Sequence, residues 1–492
     1  MSPPALLLRA CFALVAAMGV VAHATAATPA PAPEAVTVEE GLQRVVDDAL
    51  AANLELRVGS ATVAQRMAAL DQARAHYLPA LDFAARYSMA EGGRSIEIPI
   101  GDLLNPVYET LDQLLAQQGQ PPQFPRIRNQ SIDLLRDHEQ ETKFVVTQPL
   151  YEPRLGPAVA ANRELVARSE ADLAALRARV VRDTKQAYYR WLASQQVVGV
   201  LEATREAAQA NLDANQSLYR NGKITRDLVY RAEADVLEIE QQRIAASSGV
   251  RIAQGYVNLL RNQALDEPLP RAEIDGPAVE RFRTRLIERI AGRKPDVALL
   301  QRLATDRRQE LRGLDAAIAA GQAQEDLARA AFRPTLAFGA EAGIQGEDYG
   351  FGDDQKYVLA SLVLRWNAFR GGGDRAALTE AKALTEQLRA TRDLAAQQVR
   401  LEVQQAYENL EVADASLDTA AKRTEAAQGA FLIAARKRDL GQINQAEFID
   451  ARRAYTDAQL NLNRVRTEFL GRLAELEYAI GDPRRLDPEP AR

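Results

Sequence analysis

Glu447 and Asp450 are the two residues of this chain best placed to do chemistry together. They follow Gly441 by six and nine positions, so on a helix they share one face. Carboxylates so placed attract cations and repel anions. Close by lies a cationic run, Arg436, Lys437 and Arg438. Two acids are near enough in pattern to pair with it: Asp439, next in the chain, and Asp227, at the corresponding turn of the first half. One or more of these pairs is expected to act as a gate lock, holding an entrance shut. Solvated surface charge is the simpler reading of each pair, because exposed pairs contribute only about 0–1 kcal/mol. Covalent or redox chemistry finds no residues to carry it. The chain has three histidines and one cysteine, Cys11, with no metal-ligand spacing and no nucleophile elbow. Gly371-Gly372-Gly373 lacks the following Gly-Lys-Ser/Thr of a phosphate loop and reads as a strand-to-helix link. No catalytic residue, metal site or cofactor is assigned, and the chain is not read as an enzyme.

The elements that must position these charges are announced by a repeat. Ala73–Tyr87 (ARAHYLPALDFAARY) returns as Ala328–Ala342 (ARAAFRPTLAFGAEA), offset by 255, with seven of fifteen positions identical. Each copy changes period at its proline. Before Pro79 and Pro334 the pattern is helical; after them it alternates. Leu81, Phe83, Ala85, Tyr87 and Met89 oppose Asp82, Ala84, Arg86 and Ser88, which predicts a strand over Ala80–Met89 with one apolar face. A second strand is predicted at 143–150, with Phe144, Val146 and Leu150 on one face. A third, at 335–345, places Leu336, Phe338, Ala340, Ala342 and Ile344 together. A fourth, at 357–366, does the same for Val358, Ala360, Leu362, Leu364 and Trp366.

Between strands and turns run very long helices. From Leu173 to Leu201 the seam residues, including Val180, Thr184, Ala187 and Trp191, recur every 3.5 residues on average, a coiled-coil spacing. A helix over 157–222 would be roughly 100 Å long. It turns at Asn221-Gly222-Lys223 and the second one turns at Asp439-Leu440-Gly441-Gln442, where glycine supplies positive φ. Around the hairpins the repeat offset is 219, so the first half holds 36 extra residues. They fall in the segment 90–141, which carries an amphipathic run, Leu103–Gln118, and a proline cluster at 121–125.

The predicted organisation is a signal peptide at 1–26, a first repeat at 27–265 with its hairpin at about 157–265, a second at 266–481 with its hairpin at about 371–480, and a tail at 482–492. Arg9, the apolar run Ala10–Val21 and the small residues at 22–26 carry the signal reading, and Cys11 would leave with that segment. The helical opening is placed at Thr37, with Glu40 as capping-box partner. A net charge of −6 and no basic stripe with interleaved aromatics argue against nucleic acid as a partner. Strands of about ten residues with an outward apolar face suit a membrane barrel, but four strands cannot close one. The chain must then share a barrel with copies of itself. A soluble sandwich is the alternative; helices far longer than a compact globule count against it.

This arrangement resembles the TolC family of outer-membrane exit ducts. The resemblance rests on the tip segments Tyr219–Ala232 and Arg438–Ala451, each with a glycine and then an alanine ten positions on, and on the junctions at Pro79 and Pro334. It implies a mainly α fold with a β-barrel part: a homotrimer with a shared twelve-strand barrel in outer-membrane lipid and a helical tunnel across the periplasm. It also implies that Gly222, Lys223, Ile224, Gly441, Gln442 and Ile443 form the end that docks a periplasmic adaptor and an inner-membrane transporter of RND or ABC type. Family members carry acids at the positions of Glu447 and Asp450, at the closed entrance; here the first is Glu where Asp is usual. The first half has Leu228 and Arg231 at the equivalent positions. The implied function is a passive exit duct for small molecules or polypeptides. The alternative is a periplasmic adaptor or coiled-coil spacer without channel activity.

Overall fold

The computed structural model describes residues 36–289, 296–348 and 350–482. The expected signal segment, the Arg293-Lys294-Pro295 stretch and the tail from residue 483 lie outside the described residues.

Thr37 begins the first helix, α1 (Val38–Ala52), through a capping box: its hydroxyl accepts from the Glu40 amide and the Glu40 carboxylate accepts from the Thr37 amide. Asn53 ends α1 and caps α2 (Leu54–Ala75), its side-chain oxygen accepting from the Glu55 and Leu56 amides. Gly59 lies inside α2. Its lack of a side chain admits Leu173 of the neighbouring helix. The strand β1 (Ala80–Met89) follows the proline. The long segment after it folds as β2 (Ser95–Ile98), α3 (Ile100–Gln117) and β3 (Gln130–Asp133), with β2 and β3 paired. β4 (His138–Tyr151) starts five residues earlier than its apolar alternation indicates. The polar run before it extends because Arg86 and Lys143 neutralise Glu141, at 3.3 and 2.9 Å.

α4 (Leu155–Arg220) has 66 residues and returns as α5 (Arg226–Leu260). α5 stops short of the proline-bearing break because Asn262 takes a left-handed conformation, φ 53°. Then come α6 (Gly276–Arg289), α7 (Val297–Arg307), α8 (Gln309–Ala330), β5 (Thr335–Gly346), β6 (Lys356–Arg365), α9 (Gly373–Asp439) and α10 (Gln445–Ala479). Gly372, at φ 86°, turns the chain into α9.

The four longer strands form one antiparallel sheet in the order β1-β4-β5-β6, with β1 and β6 at its edges. The helices that adjoin it in the chain, α2, α4, α8 and α9, all attach at one end. The segment 90–137 and the β5–β6 turn sit at the other, joined by Arg136 and Glu347 at 3.8 Å. The core lies among the helices. Tyr188, Tyr189, Trp191 and Leu192 of α4 are buried against Phe282 of α6 and Phe469 and Leu470 of α10. At the α7–α8 break, Arg308 pairs with Glu310 and Glu402, both at 3.0 Å. The Tyr478 ring is held between the guanidiniums of Arg308 and Arg182, at 4.7 and 4.4 Å. Burial pushes the Glu310 carboxyl up, but Arg308, together with hydrogen bonds from the backbone and Tyr478, holds that group below its ordinary value.

Candidate functional site: a two-faced sheet and paired hairpin tips

Strand register puts the predicted apolar residues on one side of the sheet. Phe83 faces Phe144, Phe144 faces Ala342, and Ala342 faces Val358. One step along, Leu81, Val146, Ala340 and Ala360 line up. Among the described residues no layer covers this side: Leu81, Phe83, Phe144, Val358, Leu362 and Leu364 are exposed, Val358 at 82%. The opposite face carries Asp82, Arg86, Glu139, Glu141, Lys143 and Glu341. Lys143 bridges Glu141 and Glu341, at 2.9 and 3.0 Å. A sheet with one bare apolar face and one ion-paired face suits lipid outside and water inside. Tyr357 sits opposite Gly343 on the charged face and donates to Glu141 at 3.5 Å. Trp366 and Phe369, beyond β6, are exposed as a rim residue would be. Among the described residues no helix is long and apolar enough to cross a membrane.

At the far end of the helices both turns close alike. Gly222 and Gly441 take φ 64° and 68°. Lys223 donates its amide to the Leu218 carbonyl, and Gln442 donates to that of Lys437. Gly222, Lys223, Gly441 and Gln442 are exposed; Ile224 and Ile443 are half-buried and both line a groove of about 1090 Å³ between the hairpins. Leu228, Arg231, Asp235, Arg438, Asp450 and Arg453 also line it.

The two acids read as a pair have different surroundings. Asn444 caps α10, accepting from the Glu447 amide and donating to the Glu447 carboxylate, both at 2.9 Å. Asp450 is exposed and opens on the groove. Arg438 pairs with its neighbour Asp439 at 2.6 Å and lies 4.2 Å over the Phe448 ring, so it serves its own hairpin. Among the described residues neither Arg436 nor Asp227 forms an ion pair within the chain.

One buried link that joins the hairpins near their tips went unread in the sequence. Arg452 of α10 holds Asp235 of α5 through one nitrogen and both carboxylate oxygens, at 2.7 and 2.8 Å. The two are 3% and 5% exposed. Arg453 stands 3.5 Å from the same carboxylate and 2.8 Å from Glu238. Burial pulls the Arg452 guanidinium below its ordinary value, against the opposing pull of Asp235. The pair spans 217 positions of chain, and no local spacing signals it.

Residues 300–482 match the model of the outer membrane efflux protein family. Protein CyaE of Bordetella pertussis is 32% identical over 198 residues, which are 39% of this chain and 42% of that protein. The chain thus spans about two-fifths of the length of the curated relative it matches. Among solved structures, the CusC transmembrane channel superposes with a TM-score of 0.71 at 16% identity, over 91% of this chain and 93% of that one. The outer membrane protein VceC of Vibrio cholerae does so at 0.68 and 16%, over 90% and 96%. At these identities the structural likeness establishes the fold.

Proposed function

The chain is TolC-like, carrying the outer membrane efflux protein domain at residues 300–482 and the fold of outer-membrane channels, and from that premise we propose that it is a passive exit duct of the outer membrane. The observation that carries this reading is the sheet. Its predicted apolar residues share one uncovered face, while among the described residues the edges β1 and β6 have no partner strand. Open edges in lipid leave backbone groups unsatisfied at several kcal/mol each, so the sheet requires neighbours. Three copies would supply a closed barrel of twelve strands. Each repeat, 27–265 and 266–481, would give two strands and one hairpin, and the hairpins would form the tunnel into the periplasm.

In this reading the exposed turns at Gly222-Lys223-Ile224 and Gly441-Gln442-Ile443 receive a periplasmic adaptor, which connects the duct to an RND or ABC transporter in a tripartite efflux or type I secretion system. Glu447 and Asp450 would set the charge of the entrance. The capped geometry of Glu447 leaves Asp450 as the freer of the two acids toward a passing ion. Arg436 and Asp227 are available for contacts between copies that hold the entrance closed. The duct has no catalytic step: the transporter supplies the energy and this chain supplies the path.

Reconstitution of the detergent-extracted protein in a planar bilayer tests this reading. Stepwise, cation-preferring conductance supports it. Membrane insertion without conductance would refute it and favour the coiled-coil spacer.

A further inference from the structure

The 36 residues by which the first half exceeds the second help build a hydrogen-bonded subdomain at the end of the sheet away from the long helices. Its helix α3 is clamped along one side by the segment that returns beneath it. Asn105 exchanges two 2.8 Å hydrogen bonds with the Ile127 backbone. The Asp112 carboxylate accepts from the Gln123 and Phe124 amides, and Tyr108 packs on Phe124 with centroids 5.0 Å apart. Gly101, Asn105, Tyr108 and Asp112 thus mark the covered face. The other face presents Leu103, Leu104, Val107, Leu111 and Leu114, with Leu103 exposed at 70% and Val107 at 53%. From Leu104 on, these residues recur at steps of 3, 4 and 3, the spacing that seats one helix on another.

We propose that this stripe packs against the same stripe of neighbouring copies, so that the α3 helices together form a lid over the outer mouth of the duct. The proposal rests on the shared-barrel reading, which brings one α3 per copy to the same end. The charges select a second copy over a lipid surface. A helix lying on anionic lipid carries Lys or Arg on its polar face; α3 has none. Its acids are occupied within the subdomain: Asp102 accepts from Asn129 at 2.9 Å, Glu109 pairs with Arg126 at 3.2 Å, and Asp112 takes the two amides above. The positions flanking the stripe, Thr110 and Gln113, are neutral. Like helices can therefore meet there without charge repulsion.

The test is cysteine cross-linking in intact outer membranes. The only native cysteine, Cys11, lies in the segment expected to be cleaved, so each variant carries one thiol. With copper phenanthroline as oxidant, Val107→Cys should join more than half of the chains into disulfide-linked pairs. Arg126→Cys, exposed on the returning segment, should join fewer than a tenth. Equal, low cross-linking at both sites in a protein that still sizes as an oligomer would overturn the lid and leave the duct standing. A monomer in the membrane would overturn both. Quenching by brominated lipid of a bimane attached to the Val107→Cys thiol, without cross-linking, would overturn the lid in favour of a lipid-facing helix.

Discussion

Replacing Asp235 with leucine strands the Arg452 guanidinium in a site where it is 3% exposed and where its Nε and Nη1 already lack partners. Removing one member of a buried pair costs about 3–5 kcal/mol, because the other charge stays behind. At about 1.4 kcal/mol per tenfold, that is a rise of roughly 10²–10³·⁵ in the population in which α5 has come away from α10. Arg452→Met should cost less, since Arg453 stands 3.5 Å from the abandoned carboxylate and can neutralise it. The double variant Asp235→Leu/Arg452→Met removes both charges and should return close to the native value, as replaced buried pairs commonly do. Amide hydrogen exchange of the membrane-embedded protein reads this directly at residues 226–240 and 445–460. The expected order of exchange rates is Asp235→Leu fastest, then Arg452→Met, then the double variant near native. Native exchange in Asp235→Leu would refute the latch. A double variant as fast as the single one would show that packing, not charge, holds the hairpins.

Further tests address the tip and the helical core. Asp450→Asn should lower the cation-over-anion permeability ratio severalfold in bilayer recordings, and Glu447→Gln should lower it less, because Asn444 holds that side chain; the reverse order would contradict the assignment. Gly441→Val places a branched side chain at φ 68°, at a cost of about 1–2 kcal/mol. It should leave oligomer assembly intact by size exclusion while weakening adaptor binding by at least tenfold in a pull-down titration. Glu310 contributes on the acid side. Its carboxyl is held below the ordinary range when folded, so its stabilisation is full above about pH 4.3 and is lost as pH falls through the folded value. Thermal unfolding between pH 5 and 3 should therefore be flatter for Glu310→Gln than for the native chain.

The parts of this molecule legible in its sequence are those encoded locally. Period-two alternation identified the strands and their apolar faces because each strand must present one side to an apolar environment, and the register then stacked those faces together. The glycine turns and the Thr37 capping box are set by residues within a few positions of one another. The early start of β4 was hidden because His138–Thr142 reads as polar loop until its cross-strand partners Arg86 and Gln345 are known. The Asp235–Arg452 link was hidden for the same reason over a longer distance. Arg438 pairs with Asp439, one of the two acids to which its charge run pointed, and lies over the Phe448 ring, which no local spacing announced. The resemblance to the TolC family, read from turn and junction residues, is borne out by the family match over residues 300–482 and by the channel folds.

Electron imaging of the detergent-extracted protein tests the shared barrel most directly. The account predicts a threefold hollow rod well over about 100 Å long, as helices of this length require at 1.5 Å per residue, with one short wide end. Compact monomers that need no detergent would contradict it, and would mean that the strands fold as a soluble sheet.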